Sequence, residues 1–281
     1  MKELFIKDIL NEQYIGKKIT IKGWIYRKRE LKENIFIVLR DSTGIIQCVA
    51  KKENFSEKDW KDLLDLQIEG SIEISGILRK EERAPEGYEI EVSNFKIFDK
   101  GSPFPLHGRE EISTIMKYRH LYIRTRKQNA IMKLKSNLLK YLREELEKLG
   151  YIEVNPPIII PVAVEEVQTL FSLDYFGKKA YLTQSSQLYL EALIFSLEKV
   201  YCLAPSFRAE KSRTRRHLHE FWHLEIEAAW YKLNDLINET EKYLKKVLER
   251  VIENDKKLLE FLGRDLKPLK NAIEKDWQRI K

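Results

Sequence analysis

A small five-stranded β-barrel followed by an α+β domain built on an antiparallel sheet is the fold the 281-residue sequence predicts, and three observations carry that expectation. Five runs at strand period lie between residues 17 and 99, with one helical run after the third. A stretch dense in Gly, Pro and charge follows at residues 99–113. Beyond it, two strand-period arms around a basic turn stand among long helical patterns. The boundary is placed to give domains 1–105 and 106–281.

In order, the first domain reads KKITIKGWIYRKREL, NIFIVLRD, GIIQCVAKK, SIEISGILRK and YEIEVSNFKIFD as strands. FSEKDWKDLLDL, between the third and fourth, is a helix with Ser56 and Asp59 spaced as a capping box. Five strands with a helix after the third fit an oligonucleotide-binding barrel, and fit equally another small barrel without a ligand.

After the linker, KYRHLYIRTRKQNAIMKLKSNLLKYLREELEKLG is one long helical pattern that stops at Gly150, a natural C-cap. AYLTQSSQLYLEALIF reads as strand, turn and helix. In 200–230, Arg208 and Glu210 share a face of the first arm; Phe221, His223, Glu225 and Glu227 share a face of the second. Trp222, Leu224, Ile226 and Ala228 form the core side. The loop KSRTRRH between the arms is too basic to bury. Arg208 offers a planar fork for phosphate or carboxylate, Glu210 can accept from an amino group, and Phe221 supplies a stacking face. A solvated surface hairpin has the same pattern. Two helical runs from Asn234 onward close the chain.

Hydrophobic residues make up 43% of the chain, ordinary for a globular core, and the net charge of +7 fits a polyanionic partner without selecting one. Cys48 and Cys202 sit far apart in apolar runs, which argues against a disulfide framework and for a cytoplasmic, reducing compartment. The longest apolar runs fall short of a membrane span. His217, His219 and His223 lack a fourth ligand at zinc spacing, so no metal site is read there.

Arg208-Ala209-Glu210, the basic loop, and Arg216-His217-Leu218-x-Glu220-Phe221 through Glu225 resemble the second signature motif of class II aminoacyl-tRNA synthetases. The wording is nearest to the archaeal-type asparaginyl branch. The resemblance implies a catalytic Arg208 that holds the ATP α-phosphate and the amino-acid carboxylate. Glu210 would read the adenine amino group, Phe221 would stack on adenine, and Arg216 with His217 would reach the outer phosphates. Glu225 would bind the substrate ammonium. Gln184-Ser185-Ser186-Gln187 resembles the amino-acid pocket, with Gln187 touching the substrate. Aspartyl relatives place a lysine three residues later; here Leu190 and Glu191 follow, which suits asparagine, because a buried unpaired carboxylate is costly. In the barrel, GWIYRKREL, IFIVLRD and GIIQ place Arg29, Phe36 and Gln47 on the family's anticodon-contacting positions. GYIEVNPPIIIPV resembles the first motif, which implies a homodimer. ATP, Mg²⁺, tRNA and asparagine are the implied substrates and cofactors; nothing calls for DNA or a membrane.

Two departures shape the expectation. Where the family has a Glu-Gly-Gly lid over the amino acid, Glu165 is followed by Glu166, Val167 and Gln168, so Glu165 keeps the amino-acid role without the glycine hinge. The third motif, a glycine-rich strand leading into an arginine helix, is absent from the sequence. The chain is therefore expected to be a fragment, one half of a split enzyme joined by a separate chain with the third motif, or a truncated paralogue. A non-catalytic tRNA-binding paralogue and a synthetase making asparagine from aspartate are the alternative functions.

Overall fold

The computed structural model describes residues 4–106, 108, 110–162, 169–211, 214 and 216–280. The chain divides into two compact units, Met1–Thr125 and Arg126–Lys281.

In the first unit, β1 (Lys18–Glu30), β2 (Asn34–Arg40), β3 (Ile45–Lys51), β4 (Ser71–Lys80) and β5 (Tyr88–Asp99) close a barrel in the order β1-β2-β3-β5-β4. Only the β3–β5 pairing is parallel. Strand period decides which residues fill it: Ile19, Ile21 and Ile25 of β1 and Ile35, Ile37 and Leu39 of β2 point inward and are buried. The expected helix is α2 (Glu57–Asp65), whose Ser56 side chain accepts from Asp59 N and donates to the Asp59 carboxylate.

A short helix outside the expected barrel, α1 (Ile6–Ile9), adds Ile6 and Ile9 to this core, both fully buried. Asp41 holds it: Oδ2 accepts from Ile6 N at 2.7 Å, while Oδ1 accepts from Thr43 N, Thr43 Oγ1 and Gly44 N. The β2–β3 turn and the chain's first helix are thus ordered by one carboxylate.

The long helix expected from Lys117 is broken. α3 (Ile112–Lys117) ends at Tyr118, and α4 (Arg119–Tyr122) gives way to tight turns in which Arg124 N donates to Leu121 O and Thr125 N to Tyr122 O. β-branched Ile123 and Thr125 favour that exit. α5 (Arg126–Lys148) then runs to Gly150, which has φ +84°. Gly150 N donates to Glu147 O and Tyr151 N to Leu146 O, the expected C-terminal stop.

The second unit is organised around β10 (Lys199–Phe207) and β11 (Glu220–Ala228), an antiparallel hairpin; β6 (Ile152–Glu153) pairs parallel with the far edge of β10. The order is β11-β10-β6, so β11 keeps one edge without a strand partner among the described residues. Tyr201, Leu224, Ile226 and Ala228 face α5 and α7 (Leu233–Phe261) and join Tyr141, Tyr243, Val247 and Val251 in one core. The opposite face packs Val200 and Cys202 on Leu190 of α6 (Gln187–Leu197). A second sheet, β7 (Ile159–Ile160), β8 (Ser172–Tyr175) and β9 (Lys178–Leu182), precedes α6, and α8 (Lys267–Glu274) follows α7.

Trp222, expected on the core side, lies outside that core with 49% of its surface exposed and the Lys135 ammonium 5.9 Å from its ring. The long lysine stem covers the indole where the packed core does not reach.

Glu239 of α7 pins the open end of the hairpin. Tyr151 OH donates to its Oε1 at 2.6 Å and Tyr231 OH to its Oε2 at 2.9 Å, with Lys199 Nζ at 3.5 Å. Burial pushes the carboxyl up, but the two phenols and the Lys199 charge outweigh it and hold it below the usual glutamate range. A lowered folded value means the stabilisation is present above the ordinary glutamate pKa of about 4.3 and is lost as pH falls through the folded value. In acid titrations followed by circular dichroism, Glu239→Gln is expected to cost about 2 kcal/mol at neutral pH and to lose less than wild type below pH of about 4. An identical acid limb in the two proteins would remove Glu239 from this role.

Candidate functional site

The turn from β9 into α6 places four polar residues in the interior: Thr183, Gln184, Ser185 and Ser186 are all buried. Each is satisfied in the manner buried polar groups require. Thr183 Oγ1 donates to Ser185 O at 2.8 Å, Phe207 N donates to Thr183 O, and Gln184 Nε2 donates to Thr169 Oγ1 at 2.6 Å. Ser185 Oγ donates to Glu225, and Ser186 N reaches both Glu225 oxygens, at 3.1 and 2.9 Å. The Glu225 carboxylate therefore sits at the amino end of α6, where the helix dipole favours negative charge.

Strand alternation brings two further residues to the same side. Glu227 lies two residues beyond Glu225, and burial with the charges of Glu191 and Glu225 pushes its carboxyl above the usual range. His223 Nδ1 is 3.2 Å from Ser206 Oγ and 3.5 Å from Glu225 Oε2. Beneath them Cys202 Sγ is 3.7 Å from Glu225 Oε2; burial pushes the thiol up to about 11, which leaves it an inert filler.

Gln187 opens α6, and its Nε2 donates to Glu191 Oε1 at 2.8 Å, one turn along. Leu190 is fully buried against Val200 and Cys202. The charges of Glu191 and Glu225 thus both act on Glu227, and the position three residues after Gln187 turns into the core.

Arg208 and Glu210 lie beyond the end of β10, outside the strand in which they were expected. The last ladder pair is Phe207↔Glu220; Arg208 N then donates to His219 O, while Ala209 N turns to Thr169 O. The Arg208 guanidinium lies 5.8 Å from the Phe221 ring centre, so the hairpin brings these two together. Glu210 Oε2 is 3.3 Å from His217 Nε2, and His217 Nδ1 is 2.7 Å from Thr214 Oγ1. Arg216 is exposed. Glu165 lies outside the described residues. Ser185 and Ser186 fall within the stretch that resembles the amino-acid pocket, and Glu227 lies on the face of the second arm that strand period selects, but neither they nor Glu191 carry an individual role in the sequence reading; the four-residue spacing of Gln187 and Glu191 and the two-residue spacing of Glu225 and Glu227 are the available signals.

On the barrel, Arg29 stands opposite Phe36 in the β1–β2 ladder and Val38 opposite Gln47 in β2–β3. Phe36 is half-buried on the outer face, outside the barrel core. All three expected residues line one groove of about 800 Å³, with Arg27, Lys51 and Arg83 as neighbouring cations and Glu81 and Glu89 as acids.

The first unit is thus a closed barrel with a cationic outer groove, and the second carries a hairpin with an arginine, an aromatic ring and half-buried acids. Residues 111–281 match the family described as tRNA synthetases class II (D, K and N), and residues 19–98 match the OB-fold nucleic acid binding domain. The chain belongs to the class II tRNA synthetases of the D, K and N group. It is 40% identical to the asparagine–tRNA ligase of Thermoplasma acidophilum over 99% of its own length and 65% of that protein. With the asparagine–tRNA ligase of Pyrococcus horikoshii the identity is 48%, over 92% of this chain and 60% of the relative. The crystal structure of the asparaginyl-tRNA synthetase from Pyrococcus horikoshii complexed with asparaginyl-adenylate superposes with a TM-score of 0.92 and 44% identity, covering 98% of this chain and 64% of that one. The chain thus spans about 60–65% of the length of these relatives. Among the described residues no helix is long and apolar enough to cross a membrane.

Proposed function

We propose that this chain carries the anticodon-reading domain, residues 1–105, and the first part of the asparagine-activating domain, residues 106–281, of an asparagine–tRNA ligase. In the reaction the asparagine carboxylate attacks the α-phosphorus of ATP, pyrophosphate leaves, and the acyl group then passes to a hydroxyl of the tRNA terminal adenosine with release of AMP. Arg208 takes the α-phosphate and the carboxylate, Phe221 stacks on adenine, and Glu210 accepts from its amino group. Arg216 and His217 reach the outer phosphates. Gln187, Glu225 and Glu165 hold the amino acid, Glu225 through its ammonium. Mg²⁺ enters with ATP; among the described residues no three His, Cys, Asp or Glu side chains converge as a metal site.

The observation that carries asparagine over aspartate is the acid set. With Leu190 in the core and Glu191, Glu225 and Glu227 on the pocket side, a substrate carboxylate meets repulsion, whereas an amide finds acceptors for its N–H groups. Amino-acid-dependent exchange of pyrophosphate into ATP, run with asparagine and with aspartate on this chain supplied with a separate polypeptide that carries the third motif, tests this. Aspartate supporting exchange as well as asparagine would overturn it.

Arg29, Phe36 and Gln47 are assigned to the anticodon. Phe36→Ala is expected to weaken binding of an asparagine-anticodon stem-loop by about 1–3 kcal/mol with the melting temperature unchanged, because the ring stacks a splayed base rather than filling the barrel. Equal affinity in the two proteins would remove the anticodon role.

A homodimer is proposed from the first-motif segment, where Ile158, Ile159 and Val162 are 37%, 49% and 63% exposed. Light scattering is expected to report twice the chain mass at micromolar concentration; a monomer would count against it. The cytoplasm, where tRNA is charged, is the proposed location, and two buried thiols, Cys48 and Cys202, fit it.

A further inference from the structure

Gln47 lines the barrel's outer groove, and its Nε2 lies 3.0 Å from Glu89 Oε2. The two are register partners on the parallel pair β3–β5, so the contact is built into barrel closure and does not depend on a loop. An ionised carboxylate only accepts; it therefore engages the NH₂ end of the amide and turns the carbonyl end away from itself. A free glutamine amide can rotate between two orientations of equal size and opposite hydrogen-bonding sense. Tied to Glu89, Gln47 has Oε1 and one N–H left for a ligand.

The neighbouring acid is different. Glu91 is neutralised by Lys51, at 2.8 Å, and by Arg79. Glu89 forms no ion pair among the described residues, and its carboxylate meets the Gln47 amide instead. Uracil N3 and guanine N1 are ring nitrogens that carry hydrogen, whereas cytosine N3 and adenine N1 are bare lone pairs. An acceptor backed by negative charge attracts the first kind and repels the second.

We propose that Glu89 is a positioning residue for base selection: by fixing the Gln47 amide it makes this part of the groove accept a base with a ring N–H, uracil or guanine, over cytosine or adenine. The proposal rests on the reading of the groove as the anticodon site. The asparagine anticodon, GUU, has a ring N–H at every base, so each can be tested by a replacement that removes it.

The experiment measures binding of asparagine-anticodon stem-loops to the full 281-residue chain, with G replaced by A and each U by C in turn. Wild-type protein is expected to disfavour one replaced loop by about tenfold or more. Glu89→Gln, whose amide can present either end to Gln47, is expected to reduce that ratio to below about threefold while the parent loop still binds. On a Gln47→Ala background, Glu89→Gln should change the ratio no further, because its effect runs through Gln47. In the free protein, the NMR signals of the Gln47 side-chain amide should move in Glu89→Gln, a readout independent of RNA.

An unchanged ratio in Glu89→Gln overturns the proposal, as do unmoved Gln47 amide signals. A further fall on the Gln47→Ala background also overturns it, because Glu89 would then touch the base itself. Phe36→Ala separates the two levels. If it leaves stem-loop affinity intact, the anticodon reading of the groove fails and this proposal with it; if it weakens binding while the Glu89 ratio stands, this proposal alone fails.

Discussion

Purified by itself, the 281-residue polypeptide is expected to give no detectable asparagine-dependent exchange of pyrophosphate into ATP. Attack of a carboxylate on the α-phosphorus builds charge on the phosphate oxygens, and that charge has to be met from several sides. In the proposed assignment Arg208, held 5.8 Å from the Phe221 ring, would supply one side, and Arg216 with His217 another. The arginine helix of the third motif is not in this sequence. Loss of one well-placed donor costs about 10²–10³ in rate, and more than one goes with that motif. Adding a polypeptide with the third motif of a relative is expected to restore exchange, and Arg208→Ala in the restored protein to lower it again by about 10²–10³. Robust exchange by the 281-residue chain alone, abolished by Arg208→Ala, would show that another residue has taken over the missing charge.

Gly76→Ala is expected to destabilise the barrel by about 3 kcal/mol or more, the largest effect of a one-carbon change in the first unit. A Cβ at Gly76 would lie 2.1 Å from Glu91 O and 2.7 Å from Ile90 Cγ2, and the first of these is backbone that cannot swing aside. The position marks the irregular step in the β4–β5 ladder, where β4 crosses close to β5 so that the barrel can close. Gly87 is the control. A Cβ there meets open space, so the strain of its φ of +77° is the only cost, about 1 kcal/mol. Urea unfolding followed by Trp24 and Trp60 fluorescence distinguishes the two. Equal midpoints would mean the crossing relaxes without penalty.

How much of this was legible in the sequence depends on the range of the forces involved. The barrel strands, the Ser56–Asp59 cap and the Gly150 stop are set by neighbours within a few residues, and the pattern exposes them directly. α1 is four residues long, too short for a periodicity, and owes its place to Asp41, 35 residues from Ile6. The break after Lys117 follows from local turns that an apolar count does not see. In the site, alternation along β11 put Phe221, His223, Glu225 and Glu227 on one side, as the hairpin shows. The end of β10 at Phe207 is decided by partners from other segments, His219 and Thr169, so local alternation carries the strand too far, through Glu210. The pairing of Gln47 with Glu89 needs two strands brought parallel across 42 residues, which no local pattern announces.

The open side of β11 also governs how this polypeptide behaves in a crowded tube. A nine-residue strand with no strand partner along one side among the described residues is a template on which another molecule can lay down a strand of its own, the first step of precipitation. Its guards are the glutamates at 220, 225 and 227, which repel a second copy laid against them. Glu227 is the weakest guard, because burial and its acidic neighbours make it take up a proton at higher pH than an ordinary glutamate. As pH falls, Glu227 is therefore neutralised ahead of an ordinary glutamate, and the edge loses that repulsion first.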